Sequence, residues 1–191
     1  MIGILLAAGQ GLRFDPDRRL NKLLQTLPDG PLVAEASART LCAALPRVLA
    51  VVRDVRGPLA DCLRNVGCEL VPCRQAGQGM GASLVCGVQA SRDAAGWLVA
   101  LADMPFVQVD TLRALAQAIT RGAGVAAPYC QGRRGNPVAF AAGHRDRLLQ
   151  LGGDEGARAL LRHWPVEQVV VPDPGIFRDI DTPGDLPTGN P

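Results

Sequence analysis

The sequence predicts a Rossmann-like α/β fold: one three-layer α/β/α sandwich built on a mostly parallel sheet and spanning 1–191. Three observations point there. Residues 2–8 form a continuous apolar run that ends on Gly9, the pattern of a strand buried on both faces. Strand-like and helix-like segments then alternate at the spacing that right-handed βαβ crossovers require. No repeat, linker or shift in composition divides the chain, so a single unit is expected.

The elements follow in order. Segment 33–45 has helical composition and leads to a Val-rich strand at 48–52. A helix opened by Pro58 covers 58–65, a third strand covers 69–72, and a helix covers 81–91. Segment 97–102 is a fourth strand, 109–121 a helix and 124–128 a fifth strand. Beyond 129 the rhythm changes: a short strand at 137–141, helices at 143–150 and 155–163, and a Val-rich strand at 166–171. Ligands in such sheets bind at the carboxyl ends of the strands, so functional residues are sought there.

Composition narrows the partners. A net charge of +2 with scattered basic residues gives no nucleic-acid footprint. No run reaches the ~20 apolar residues of a membrane span. The short apolar N-terminus lacks a basic leader, and a cytoplasmic location is expected. Cys42, Cys62, Cys68, Cys73, Cys86 and Cys130 form no C-x-x-C pair and read as reduced thiols; zinc is not expected. No G-x-S-x-G elbow is present, and no cysteine stands beside a suitable histidine. His144, His163, Trp97 and Trp164 read as structural or surface residues. Of 20 basic residues Lys22 is the single lysine, in a segment otherwise served by arginine.

Two constellations carry chemistry. The first strand runs into Leu6-Ala7-Ala8-Gly9-Gln10-Gly11-Leu12-Arg13-Phe14, followed by Lys22. Small residues let backbone N–H groups approach an anion, and Arg13 and Lys22 would add fixed charge for a triphosphate. Neither common glycine fingerprint fits, because Phe14 stands where a third glycine belongs and G-K-[S/T] is absent. A purely structural turn is the alternative. The second constellation is acidic. Asp103 follows the fourth strand in Leu101-Ala102-Asp103-Met104-Pro105, and alternation along Asp179-Ile180-Asp181 turns both aspartates to one side. Carboxylates from distant strands suit Mg²⁺, which takes few protein ligands beside phosphate oxygens and water. Alone, each aspartate also reads as a turn residue.

These stretches, with Asn21-Lys22-Leu23-Leu24, Gly79-Met80-Gly81-Ala82-Ser83-Leu84, Arg134-Gly135-Asn136-Pro137-Val138, Gly153-Asp154-Glu155-Gly156-Ala157-Arg158 and Asp179-Ile180-Asp181-Thr182-Pro183, occur in the order of a known family. Over nearly its whole length the chain resembles the molybdenum cofactor nucleotidyltransferases, the cytidylyl branch most, with the guanylyl branch a near relative. The resemblance implies a nucleotide-diphospho-sugar transferase type of fold and transfer of CMP from CTP to the phosphate of molybdopterin, with release of pyrophosphate. It implies a nucleotide site at Leu6, Ala7, Ala8, Gly9, Gly11, Arg13, Lys22, Cys73 and Ser83. Arg13, Lys22 and Asp103 would be catalytic, Asp103 and Asp181 would hold Mg²⁺, and Arg134 and Asn136 would face the acceptor. A molybdoenzyme or its chaperone would be the protein partner. The segment between Arg13 and Lys22 is longer than in the family and carries Asp15, Asp17, Arg18 and Arg19. Guanylyl transfer, transfer to a sugar or polyol phosphate, and a non-catalytic nucleotide-binding maturation partner are the competing readings.

Overall fold

The computed structural model describes residues 1–17, 19–152, 161 and 164–187. Its strands are β1 (Ile2–Leu6), β2 (Val48–Val52), β3 (Glu69–Pro72), β4 (Gly96–Leu101), β5 (Val125–Cys130), β6 (Arg133–Arg134), β7 (Val138–Ala141) and β8 (Glu167–Val170). Its helices are α1 (Val33–Ala44), α2 (Pro58–Val66), α3 (Met80–Gln89), α4 (Val109–Thr120) and α5 (Arg145–Leu149). The strands join in the order β3-β2-β1-β4-β7-β5-β6, with β8 also paired to β5. Pairings β1–β2, β1–β4, β2–β3 and β5–β8 are parallel. β7 runs antiparallel between β4 and β5. The sheet is mixed but mostly parallel and flanked by helices, a single α/β/α unit as the alternation of elements predicts.

Period-two alternation divides the core. Leu5, Ala50, Leu98 and Ala139 face one side, where they meet Leu41 of α1, Leu63 of α2 and Leu115 of α4. Ile4, Val51, Trp97 and Phe140 face the other, against Leu84 and Val88 of α3 and Leu148 of α5. Complete burial of such side chains contributes about 1.5–3 kcal/mol each. Trp97 is fully buried and its indole N–H donates to Ser91 Oγ at 2.9 Å, so it is a core residue. Trp164 packs edge-on against Phe140 and beside His144. Burial, with Arg147 next to it, holds the His144 imidazole below its ordinary pKa, in keeping with a structural histidine.

Local chemistry sets the element ends. Pro58 occupies the first turn of α2, and Gly67 closes that helix in the left-handed region at φ +105°. β1 stops at Leu6, short of the expected 2–8, because the carbonyl of Ala8 is taken by Arg53 rather than by a neighbouring strand. The strand β6 was not expected. It pairs with β5 through a turn in which Gln131 and Gly132 both have positive φ, the backbone of a tight hairpin. The expected helix 143–150 is a short 3-10 turn (Ala142–His144) followed by α5. The expected helix 155–163 (Leu161 apart), the motif at 153–158 and His163 lie outside the described residues. Among the described residues no helix is long and apolar enough to cross a membrane.

Candidate active site

A cleft of about 720 Å³ opens at the carboxyl ends of β1, β2 and β4. Its floor is the glycine loop. Gly11 has φ +64°, a conformation that side-chain-bearing residues rarely adopt, and its carbonyl accepts from the amides of Phe14 (2.9 Å) and Asp15 (3.1 Å). The loop thereby curls, Phe14 drops into the core, and Arg13 stays out on the cleft wall. The Asp15 carboxylate continues the curl by accepting from the amides of Asp17 (3.0 Å) and Leu20 (2.6 Å). The acidic character of the long segment therefore serves to tie it down.

Lys22 is aimed by its neighbours. Asn21 caps the 3-10 turn Lys22–Leu24 by accepting from the Leu23 amide at 3.0 Å, and Leu23 buries on one side of that turn. Lys22 projects from the other side into the cleft. Its Nζ donates to Asp103 Oδ2 at 2.6 Å and to Asp181 Oδ1 at 2.9 Å. Arg13 pairs with the second oxygen of Asp181 at 2.5 Å. Burial pulls the Lys22 pKa down, but the charges and hydrogen bonds of Asp103 and Asp181 outweigh that and hold it above its ordinary value. One ammonium thus sits between two carboxylates beside the glycine loop.

The other expected residues divide. Leu6, Ala8, Gly9, Gly11 and Ser83 line the cleft together with Arg13, Lys22, Asp103 and Asp181. Ser83 lies in the first turns of α3, which starts from Gly79 at φ +120°. Ala7 and Cys73 are not among the lining residues. Ala7 is core, its amide bonded to the Val51 carbonyl at 2.9 Å. Cys73 is 1 % exposed, with its thiol turned to the Ala82 carbonyl and Cys86, so it lies behind the cleft wall and not in its lining. Arg134 and Asn136 lie outside the lining as well, on β6 and at the Asn136–Pro137 bond before β7. Asp179 is exposed and does not join Asp181, because the extended alternation breaks where the Ile180 side chain buries.

The donor set suits a hard divalent cation. Asp103 Oδ1 is buried and has no hydrogen-bond partner among the described residues. An orphaned carboxylate oxygen of this kind costs free energy unless something charged meets it. Two carboxylates plus phosphate oxygens and water make an acceptable Mg²⁺ shell.

Two site residues escaped the sequence reading. Arg53 follows β2 at the cleft, and its position at a strand's carboxyl end was the available signal. Asp185 accepts from the amides of Asp181 (3.1 Å) and Thr182 (2.6 Å) and from Thr182 Oγ1 (2.8 Å), which fixes the turn carrying Asp181. The Thr182–Asp185 spacing is that of a capping pair and was legible in principle.

Residues 3–169 match the MobA-like NTP transferase domain. The chain belongs to this family. As a MobA-like NTP transferase it is a nucleotidyltransferase. It is 31% identical over 189 residues to nicotine blue oxidoreductase of Paenarthrobacter nicotinovorans, covering 94% of this chain and 91% of that protein. A nucleotidyl transferase from Methanothermobacter thermautotroptrophicus superposes with a TM-score of 0.82 at 25% identity, over 96% of this chain and 93% of the other. Molybdopterin-guanine dinucleotide biosynthesis protein A from Archaeoglobus fulgidus shares the fold, with a TM-score of 0.69 at 23% identity, over 97% and 95% of the two chains.

Proposed function

We propose that this MobA-like NTP transferase moves CMP from CTP onto the terminal phosphate of molybdopterin and releases pyrophosphate. The observation that carries the reading is the Lys22 ammonium held between Asp103 and Asp181 beside the curled glycine loop. An acceptor phosphate has a second pKa of about 6, so it is largely a dianion at neutral pH. It therefore needs no side-chain base, and no nucleophilic side chain is required. An acceptor oxygen bonds to the α-phosphorus of the triphosphate, the bridging oxygen between α and β departs with its electron pair, and pyrophosphate leaves.

Alignment and charge neutralisation do the work in such transfers. The loop backbone at Gly9–Gly11 cradles the leaving phosphates, and Arg13 and Lys22 are cations within the same cleft. Asp103 and Asp181 would hold Mg²⁺, which supplies positive charge against the oxygens of the transferred phosphate. Base choice rests on Ala8, whose methyl is packed with Ile4, Val51 and Ala76 at the cleft wall. Arg134 and Asn136 enter this reading only as acceptor-side groups outside the cleft, and a molybdoenzyme or its chaperone would receive the product. The cytoplasm is the compartment this chemistry implies.

The test is pyrophosphate release with each nucleoside triphosphate and Mg²⁺, with and without molybdopterin. Release that requires CTP and molybdopterin together supports the proposal. Release with GTP moves it to the guanylyl branch, and release with a sugar or polyol phosphate moves the acceptor. Nucleotide binding with no release under any condition would leave a binding partner instead of an enzyme.

A further inference from the structure

The cleft has two ends, and the reaction uses one of them. Asp103, Lys22 and Asp181 lie on the β4 side of β1. Arg53 lies on the opposite side, at the end of β2. A nucleotide whose α-phosphate sits beside Asp103, with its β- and γ-phosphates on the glycine loop, directs its nucleoside toward β2 and the start of α3.

Arg53 is held there in a particular way. Its Nε donates to the carbonyl of Ala8 at 2.9 Å, which clamps an otherwise exposed side chain against the loop. Among the described residues no acceptor engages its two terminal nitrogens. One of them lies beside Gly77, where even a Cβ built onto the glycine would keep an ordinary 3.8 Å from it. Gly77 and Gly79 present backbone without side chains along this end, and Met80 contributes an exposed apolar surface. Gln10 Nε2 lies at the same 3.8 Å from that Cβ position at Gly77, so these residues line this end of the cleft with the Arg53 guanidinium at its edge.

We propose that Arg53 reads the nucleobase and restricts the donor to bases with two adjacent acceptors on one edge. A guanidinium fork offers parallel N–H donors and no acceptor. Cytosine answers it with O2 and N3, and guanine answers with O6 and N7. Uracil carries N3–H between its two carbonyls, and adenine sets its amino group beside N1 and N7 and leaves N3 with no neighbouring acceptor. Each of those would set a donor against the fork or leave one N–H unmatched. Arg53 therefore separates cytosine and guanine from uracil and adenine, while the size of the wall at Ala8 is left to separate cytosine from guanine. This inference rests on the cleft being a nucleoside triphosphate site.

The experiment is equilibrium binding of CTP, GTP, UTP and ATP, with Mg²⁺, to the parent protein, Arg53→Ala and Arg53→Lys, each checked for folding by thermal melting. The parent is expected to bind CTP roughly ten- to a hundredfold more tightly than UTP. Both variants should bring that ratio close to one, Arg53→Lys included, since it keeps the charge and loses the fork. Arg53→Lys also carries the test if Arg53→Ala fails to fold. An equal loss for all four nucleotides would make Arg53 a phosphate contact and overturn the inference while sparing the proposed site. A parent protein that does not distinguish CTP from UTP would overturn it too. A parent that binds no nucleoside triphosphate would overturn both the inference and the reading of the cleft.

Discussion

The amide of Ile180 donates to the carbonyl oxygen of Asp103 at 2.9 Å, and that bond sets the two acidic segments side by side. Ile180 itself is fully buried, which fixes the depth of its segment. The next residue, Asp181, then reaches the same ammonium as Asp103. The carboxylate pair is thus built by backbone pairing and apolar burial before any charge is considered.

Asp103→Asn is expected to fold like the parent and to lose pyrophosphate release. The amide is nearly isosteric but removes the charge that faces Lys22 and the orphaned Oδ1. Turnover should fall by about tenfold or more, equivalent to at least ~1.4 kcal/mol of barrier. Near-parental turnover with an unchanged melting temperature would remove Asp103 from the metal site.

Lys22→Arg keeps the charge and should still be damaging. The Lys22 side chain is only 12% exposed and its single nitrogen meets two carboxylates. A broad planar guanidinium needs different spacing in the same slot. We expect kcat/KM for the triphosphate to fall roughly tenfold or more. If kcat and KM both stay at parental values, Lys22 is a surface-type counter-ion.

CTP should be preferred over GTP with the same acceptor, and Ala8→Gly should narrow the preference. The Ala8 methyl is packed into a closed wall, where added bulk typically costs ~1–3 kcal/mol. The substitution should also lower stability by about 1 kcal/mol, the value of one buried methyl group. The comparison of kcat/KM for the two nucleotides decides this, and a ratio near one or favouring GTP overturns the cytidylyl reading.

Two groups give the protein opposite pH limits. Hydrogen bonds from Thr182 hold the Asp185 carboxylate below its ordinary value of 3.8. Its contribution to the Asp181–Thr182 turn is complete above that value and is lost as the pH falls through the lower, folded-state value. Lys22 is raised above 10.5, so its contribution is complete below that pH and is lost as the pH rises through the higher folded-state value. Melting temperatures of the parent and Asp185→Asn should therefore converge in acid and separate toward neutral pH. A constant difference across that range would mean that the Asp185 charge does not hold the turn.

The sequence by itself determined the layers and most of the cleft. Apolar runs such as 2–8 and 48–52, separated by helical segments, specify buried parallel strands, because burial on both faces leaves no other pattern. Small residues after β1 and an aspartate after β4 pointed to the strand ends where the cleft opens, because strand ends converge there. Tertiary structure decided what local pattern does not encode. Cys73 stands outside the cleft lining because its side chain falls on the core side of the β3 end. Arg53 entered the site because its guanidinium finds the Ala8 carbonyl on a different strand, a contact that spacing along the chain does not reveal. Asp181 and Asp179 were equivalent by alternation, and the burial of Ile180 against the core separated them. Period and composition report local preference, whereas which side chains share a cleft depends on long-range pairing such as Ile180 with Asp103.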